Sequence, residues 1–235
     1  MIEWMLLLAG IIEFLLPASV AVYLWKKYKI NWIFFFFGVA MFLLSMVRIP
    51  LNMAVQNSLS QHLYGASFLV LSAFFPSLTA GIFEEGCRFL GYRYIFRPDN
   101  RTWKSGLMYG TGHGGIESII VSANHLLTFL FLMAAAGFLP AWYVAELLAS
   151  PAYMPLVAAV ERIFAFCLHL GLSVLVLQCF LRQSRKYLGY AVGLHTAANF
   201  VALLLAQKSI FLSETSVGIF ALISLYIIWK FRNES

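Results

Sequence analysis

The sequence predicts an all-α polytopic membrane protein, a bundle of about seven transmembrane helices with its N-terminus outside and its C-terminus inside (N-out/C-in). Three observations carry that reading. Hydrophobic residues make up 62% of the 235 and charged residues only 11%. With a mean hydropathy of +0.84, this is not the composition of a water-soluble domain. The apolar residues fall into runs of about 20, the length needed to cross the hydrocarbon layer. Cations gather at alternate ends of these runs, as the positive-inside rule requires.

The first span is expected at 3–25. Its lysines (Lys26, Lys27, Lys29) follow the apolar run rather than precede it, and no small-residue cleavage site is present. It therefore reads as a retained span and not a signal peptide. The second span is expected at 31–53 and the third at 65–92, closing on Arg93 and Arg97. Arg101 and Lys104 precede the fourth, at 105–137. The stretch 138–154 is the longest loop; Pro140, Trp142, Tyr143 and Pro151 suit a segment lying along the interface. The fifth and sixth spans, 155–181 and 187–207, are joined across Arg182, Arg185 and Lys186, and the seventh, 213–230, ends at Lys230 and Arg232.

Twelve of the sixteen cations thus fall on one side, expected to be the cytoplasm, and Lys208 alone lies in an outer loop. Arg48, Arg88 and Arg162 lie within or at the edges of spans. No repeat or linker divides the chain, so residues 1–235 are expected to form a single transmembrane domain. The net charge of +6 is topological in its distribution and argues against nucleic acid as a partner. Cys87, Cys167 and Cys179 lie in apolar runs without metal-binding spacing, and read as small buried hydrophobes.

Against this background a set of ionisable residues stands out: Glu13, Glu84, Glu85, Arg88, His113, Glu117, His169 and His195. Each costs about 2.5–3.5 kcal/mol in a bilayer, and any one alone is explained by a hydrogen bond between helices. Their depths make the difference. Counted from the inner ends of their spans, Glu84, His113 and His195 all fall about 12–13 Å deep, and Glu117, His169 and Asn199 about 18 Å deep. His125, Glu161, Arg162 and Arg48 fall near the outer surface on the same count. Glu84 and Arg88, His113 and Glu117, and His195 and Asn199 are each four residues apart and share a helix face. Small residues around them, Gly81, Gly86, Gly110, Gly112, Gly114, Gly115, Ala197 and Ala198, suit close helix approach or leave room for water and substrate.

Carboxylates and histidines around a wet intramembrane pocket can perform hydrolysis. A carboxylate in a low-dielectric site is a competent general base near neutral pH. Histidine can orient water, donate to a developing oxyanion or bind a metal. Two histidines and a glutamate also form a catalytic zinc set, although no H-E-x-x-H motif occurs and three helices would have to supply the ligands.

These residues carry a family resemblance. E84-E85-x-x-R88, Y109-x-x-x-H113 and H195-x-x-x-N199 resemble the three motifs of the CAAX-protease and bacteriocin-processing (ABI/CPBP) superfamily. G112-H113-G114-G115-I116-E117, the E161-R162…H169 segment and H195-T196-A197-A198-N199 more closely resemble the YhfC family of intramembrane metalloproteases, related to the PrsW proteases. The resemblance covers residues 75 to 200 or so. It implies an intramembrane endopeptidase, a metallo- or glutamic-type hydrolase acting on a membrane-anchored peptide or protein among membrane lipids, in a bacterial cytoplasmic membrane.

By that resemblance Glu84 would activate water and Glu85 would orient the site or polarise that water. His113 and His195 would bind a metal or stabilise the oxyanion, Asn199 would add a donor and Arg88 would fix the paired carboxylates. Glu117 is a further catalytic candidate of this subgroup, and His169 and Tyr109 are supporting ones. Glu84, His113 and His195 are the implied ligands of a Zn2+ ion, although a Glu/His pair would suffice without one. Two departures bear on this: two residues, Gly86 and Cys87, separate the glutamate pair from Arg88 where the superfamily has three, and the second motif begins with Tyr109 in place of Phe. The alternatives are a proton-coupled transporter, which uses intramembrane Glu/His chains but for which no inverted repeat is visible, and a catalytically silent scaffold, whose function would survive Glu84→Gln.

Overall fold

In the computed structural model, residues 1–134 and 136–233 are described, and their regular elements are all helical. They are α1 (Ile2–Tyr28), α2 (Ile33–Ser45), α3 (Arg48–His62), α4 (Gly65–Leu90), α5 (Trp103–Ala134), α6 (Ala141–Ala149), α7 (Met154–Leu181), α8 (Lys186–Ala206) and α9 (Ile210–Lys230). Among the described residues, seven helical stretches are long and apolar enough to cross a membrane, with α2 and α3 together forming one of them. The chain is therefore an integral, multi-pass membrane protein.

α7 is the central helix: over its 18-residue apolar stretch 67% of positions are buried, against 33% or less in the other spans. It packs against α1, α5, α8 and α9, while α4 packs on α8 and on the α2–α3 pair. This arrangement brings α4, α5, α7 and α8 around one axis. At one end of the bundle aromatic rings and cations interlock. The Trp103 indole donates to the Ile228 carbonyl at 2.9 Å, Lys104 lies over Tyr28 and Arg101 over Phe180. These contacts join the cation-bearing ends of α1, α5, α7 and α9, so the clusters found in the sequence do share one end.

Two elements depart from the expected segmentation. The second span breaks at Met46–Val47, where the chain tightens so that Met46 N–H bonds the Leu43 carbonyl and Val47 N–H the Leu44 carbonyl. Pro50 then falls in the first turn of α3, where its missing N–H leaves no intrahelical bond unmade. The helix runs on to His62, beyond the expected end at residue 53. In the 138–154 stretch the segment after Pro140 forms α6. Its Ala, Glu and Leu residues favour helix, and Tyr143 bonds Thr128 of α5 at 3.1 Å. The expected 105–137 span includes residue 135, outside the described residues; α5 closes at Ala134 and a short 3-10 turn covers Ala136–Phe138.

Close helix approach around the site depends on glycine. A Cβ at Gly112 would lie 1.9 Å from the Phe35 carbonyl oxygen of α2, and one at Gly114 would lie 2.7 Å from His169 Cβ of α7. Gly86, by contrast, faces open space.

Candidate functional site

The polar residues singled out in the sequence converge from four helices. α4 contributes Glu84, Glu85 and Arg88, α5 His113 and Glu117, α7 His169, and α8 His195. Glu84, Glu85, Arg88, His113, His169 and His195 are all buried. The His113 and His169 ring centroids are 5.4 Å apart, as are those of His169 and His195.

The contacts form two linked layers. In the first layer Arg88 closes an ion pair on Glu85, both side chains being fully buried. Glu85 Oε1 accepts from His195 Nδ1 at 2.8 Å. Arg88 Nη2 donates to His169 Nδ1 at 3.2 Å. A guanidinium has donors only, so the His169 Nδ1 lone pair accepts and Nε2 carries the hydrogen. That Nε2 meets Glu117 Oε2 at 2.7 Å. Tyr109 supports the layer from below: its hydroxyl donates to the Arg88 carbonyl at 3.3 Å and its ring packs on Tyr92 and Phe96.

The second layer surrounds Glu84. His113 Nε2 donates to Glu84 Oε2 at 3.3 Å, and Arg48 Nη2 donates to Glu84 Oε1 at 2.8 Å. The Phe42 ring holds His113 edge-on at 5.2 Å. The other His113 nitrogen, Nδ1, is buried without a partner. Arg162 Nη1 pairs with Glu117 Oε1 at 3.0 Å and Nη2 with Glu161.

Glu84, His113 and His169 each offer one ligand atom, and these atoms all lie within 4.8 Å of one another. The set expected from the sequence had His195 where the geometry has His169. His195 stands beside the trio, tethered to Glu85, and lines the same small chamber. That chamber, about 90 Å³, is bordered by Glu84, Glu117, His169, His195 and Asn199. A larger entrance of about 270 Å³ adjoins it, and Arg48, Glu117, Glu161, Arg162 and Asn199 line both.

Arg48 and Arg162 are the residues that depth counting misplaced. Counted from the observed helix ends at Ile33 and Ile95, Arg48 stands only about 6 Å further along than Glu84, within an arginine's reach. Arg162 stands in a similar relation to Glu117. Two signals pointed to them: an intramembrane arginine demands a partner, and Arg162 lies seven residues before His169, on the same face of α7. Glu13 belongs elsewhere. It pairs with His125 at 2.9 Å between α1 and α5, with Ser118 and Ser122 donating to the Glu13 and Gly10 carbonyls, a polar contact between helices. The cysteines are free and take no part in the trio.

A seven-span bundle enclosing a buried Glu/His cluster defines a polytopic membrane protein with an intramembrane polar centre. The chain belongs to the YhfC family: the family model described as YhfC intramembrane metalloprotease matches residues 12–221. The uncharacterized membrane protein YhfC of Bacillus subtilis (strain 168) is 31% identical over 258 aligned residues, covering 96% of this chain and 94% of that protein. No solved structure matches the chain.

Proposed function

We propose that the chain is an intramembrane endopeptidase that hydrolyses a peptide bond of a membrane-associated substrate. One observation carries the reading: a carboxylate and two imidazoles from three helices present ligand atoms within 4.8 Å of one another, inside an apolar bundle. An oxygen and two imidazole nitrogens suit zinc. The partnerless, buried His113 Nδ1 is an unmet polar atom of the kind that marks a binding site. The family's metalloprotease description is consistent with this donor set. When bound by Glu84, His113 and His169, a divalent cation supplies Lewis-acid chemistry, acidifying water and polarising a carbonyl.

The remaining groups divide the other work. Glu117 fixes the orientation of His169 through Nε2, and its half-exposed carboxylate faces both chamber and entrance. In this reading it takes a proton from the attacking water and passes it to the leaving amine. His195 donates to Glu85 through Nδ1; as the imidazolium, a donor at both nitrogens, it offers Nε2 to the oxyanion, with the Asn199 amide as a second donor. Arg88 holds Glu85 in place. The chamber has room for about three waters at roughly 30 Å³ each, so the substrate backbone approaches through the entrance.

The test is cleavage of a library of membrane-tethered peptides by purified protein in nanodiscs. Wild type cleaves some of them, while folded Glu84→Ala and His113→Ala cleave none. Normal processing by both variants would sink the assignment.

A further inference from the structure

Two guanidiniums already occupy acceptor atoms of the Glu84–His113–His169 trio: Arg48 sits on Glu84 and Arg88 on His169. They are not equivalent. Arg88 is fully buried and closed onto Glu85. The Arg48 side chain is 20% exposed and lines both the chamber and the entrance. Its pair with Glu84 is its one ion pair among the described residues, and its Nε is buried without a partner. Arg48 is thus weakly anchored, and beside it lies a cavity into which it can withdraw.

We propose that Arg48 is a built-in competitor for the cation at Glu84, holding the carboxylate in the metal-free protein and withdrawing toward the entrance when a divalent ion binds. The proposal rests on the trio being a metal site. Its physical basis is charge. Around the chamber the carboxylates Glu84, Glu85, Glu117 and Glu161 face the guanidiniums Arg48, Arg88 and Arg162, leaving one formal negative charge. A dication inverts that balance, and a guanidinium sharing its carboxylate is strongly repelled at low dielectric. Arg88 can free His169 by turning Nη2 away, yet it stays on Glu85 through Nη1, because Glu85 would otherwise keep only His195 as a partner. Arg48 can leave. The same residue therefore keeps Glu84 paired before the ion arrives and carries its charge to the entrance afterwards.

Zinc affinity, measured in nanodiscs by competition with a chromophoric chelator, tests this on wild type, Arg48→Gln and Arg162→Gln. Arg162 lines the same cavities but is held by Glu117 and Glu161, so it reports the general effect of removing a nearby charge. Arg48→Gln is expected to bind zinc about tenfold or more tightly, because no charged hydrogen bond opposes the ion. Arg162→Gln gains less. Without zinc, Arg48→Gln unfolds at a lower temperature than wild type, and zinc raises its midpoint by more. Arg48→Met repeats the comparison should Arg48→Gln fail to fold. Zinc affinity in the Arg48 variant equal to or below wild type, or equal gains in the Arg48 and Arg162 variants, overturns the proposal. If zinc binding depends on Glu84 and yet ignores Arg48, only the competitor role falls. If wild type shows no Glu84-dependent zinc binding, the metal reading falls with it.

Discussion

Replacing Arg88 with methionine removes the one guanidinium that is wholly enclosed by the bundle. Its side chain and that of Glu85 are both 0% exposed. The substitution leaves Glu85 buried with His195 as its remaining partner, and also strips the donor from His169 Nδ1. Breaking a buried ion pair from one side costs about 3–5 kcal/mol, because the surviving charge keeps its desolvation penalty without compensation. Removing both charges in the double variant Glu85→Gln/Arg88→Met should recover part of that loss, giving a coupling energy of about 1–3 kcal/mol. The assay is reversible unfolding in mixed micelles, followed by circular dichroism as denaturing detergent is added. An Arg88→Met protein within about 1 kcal/mol of wild type, where a surface pair would fall, refutes the reasoning. So does a double variant no more stable than the single one.

Gly114→Ala places a Cβ 2.7 Å from His169 Cβ, whereas Gly86→Ala meets nothing. The first should lose about 1–3 kcal/mol to overpacking and bind zinc less tightly, while the second folds and binds as wild type, read by the same unfolding and chelator assays. Glu117→Gln removes the carboxylate that orients His169; zinc affinity should fall about 10- to 100-fold, as it does when a partner behind a metal-binding histidine is lost. Reporter fusions test orientation: a C-terminal fluorescent protein that matures only in the cytoplasm should glow, and an export-dependent phosphatase at the same point should stay inactive.

The spans and the polar centre were legible in the sequence for the same reason, the high cost of polar groups in hydrocarbon. Apolar runs bounded by cations mark the helices, and polar residues inside those runs must find one another. Counting along rigid helices put Glu84, His113 and His195 at one level, and the structure does bring them into one buried cluster, with Glu84 and His195 lining the chamber and His113 bonded to Glu84. Counting fails where the backbone departs from a straight, evenly spaced helix. The break at Met46–Val47 and the wider turn at Gly91–Ile95 change the relative heights of Arg48 and Glu84. An arginine side chain then covers the remaining gap. Which of His169 and His195 completes the trio was not something depth could decide. It depends on how α7 and α8 rotate about their axes, which is set by contacts such as that of Gly114 with His169 and by the Glu85–His195 tether. α6 was obscured by the prolines that flank it, which read as a loop although the residues between them favour helix.

X-ray absorption by the zinc-loaded protein in nanodiscs tests the central claim most directly, that Glu84, His113 and His169 together hold a metal ion. The spectrum should show light oxygen and nitrogen donors with the multiple scattering of two imidazoles, reduced to one in His169→Ala and unchanged in His195→Ala. A spectrum without imidazole scattering, or one that keeps two imidazoles in His169→Ala, would contradict it.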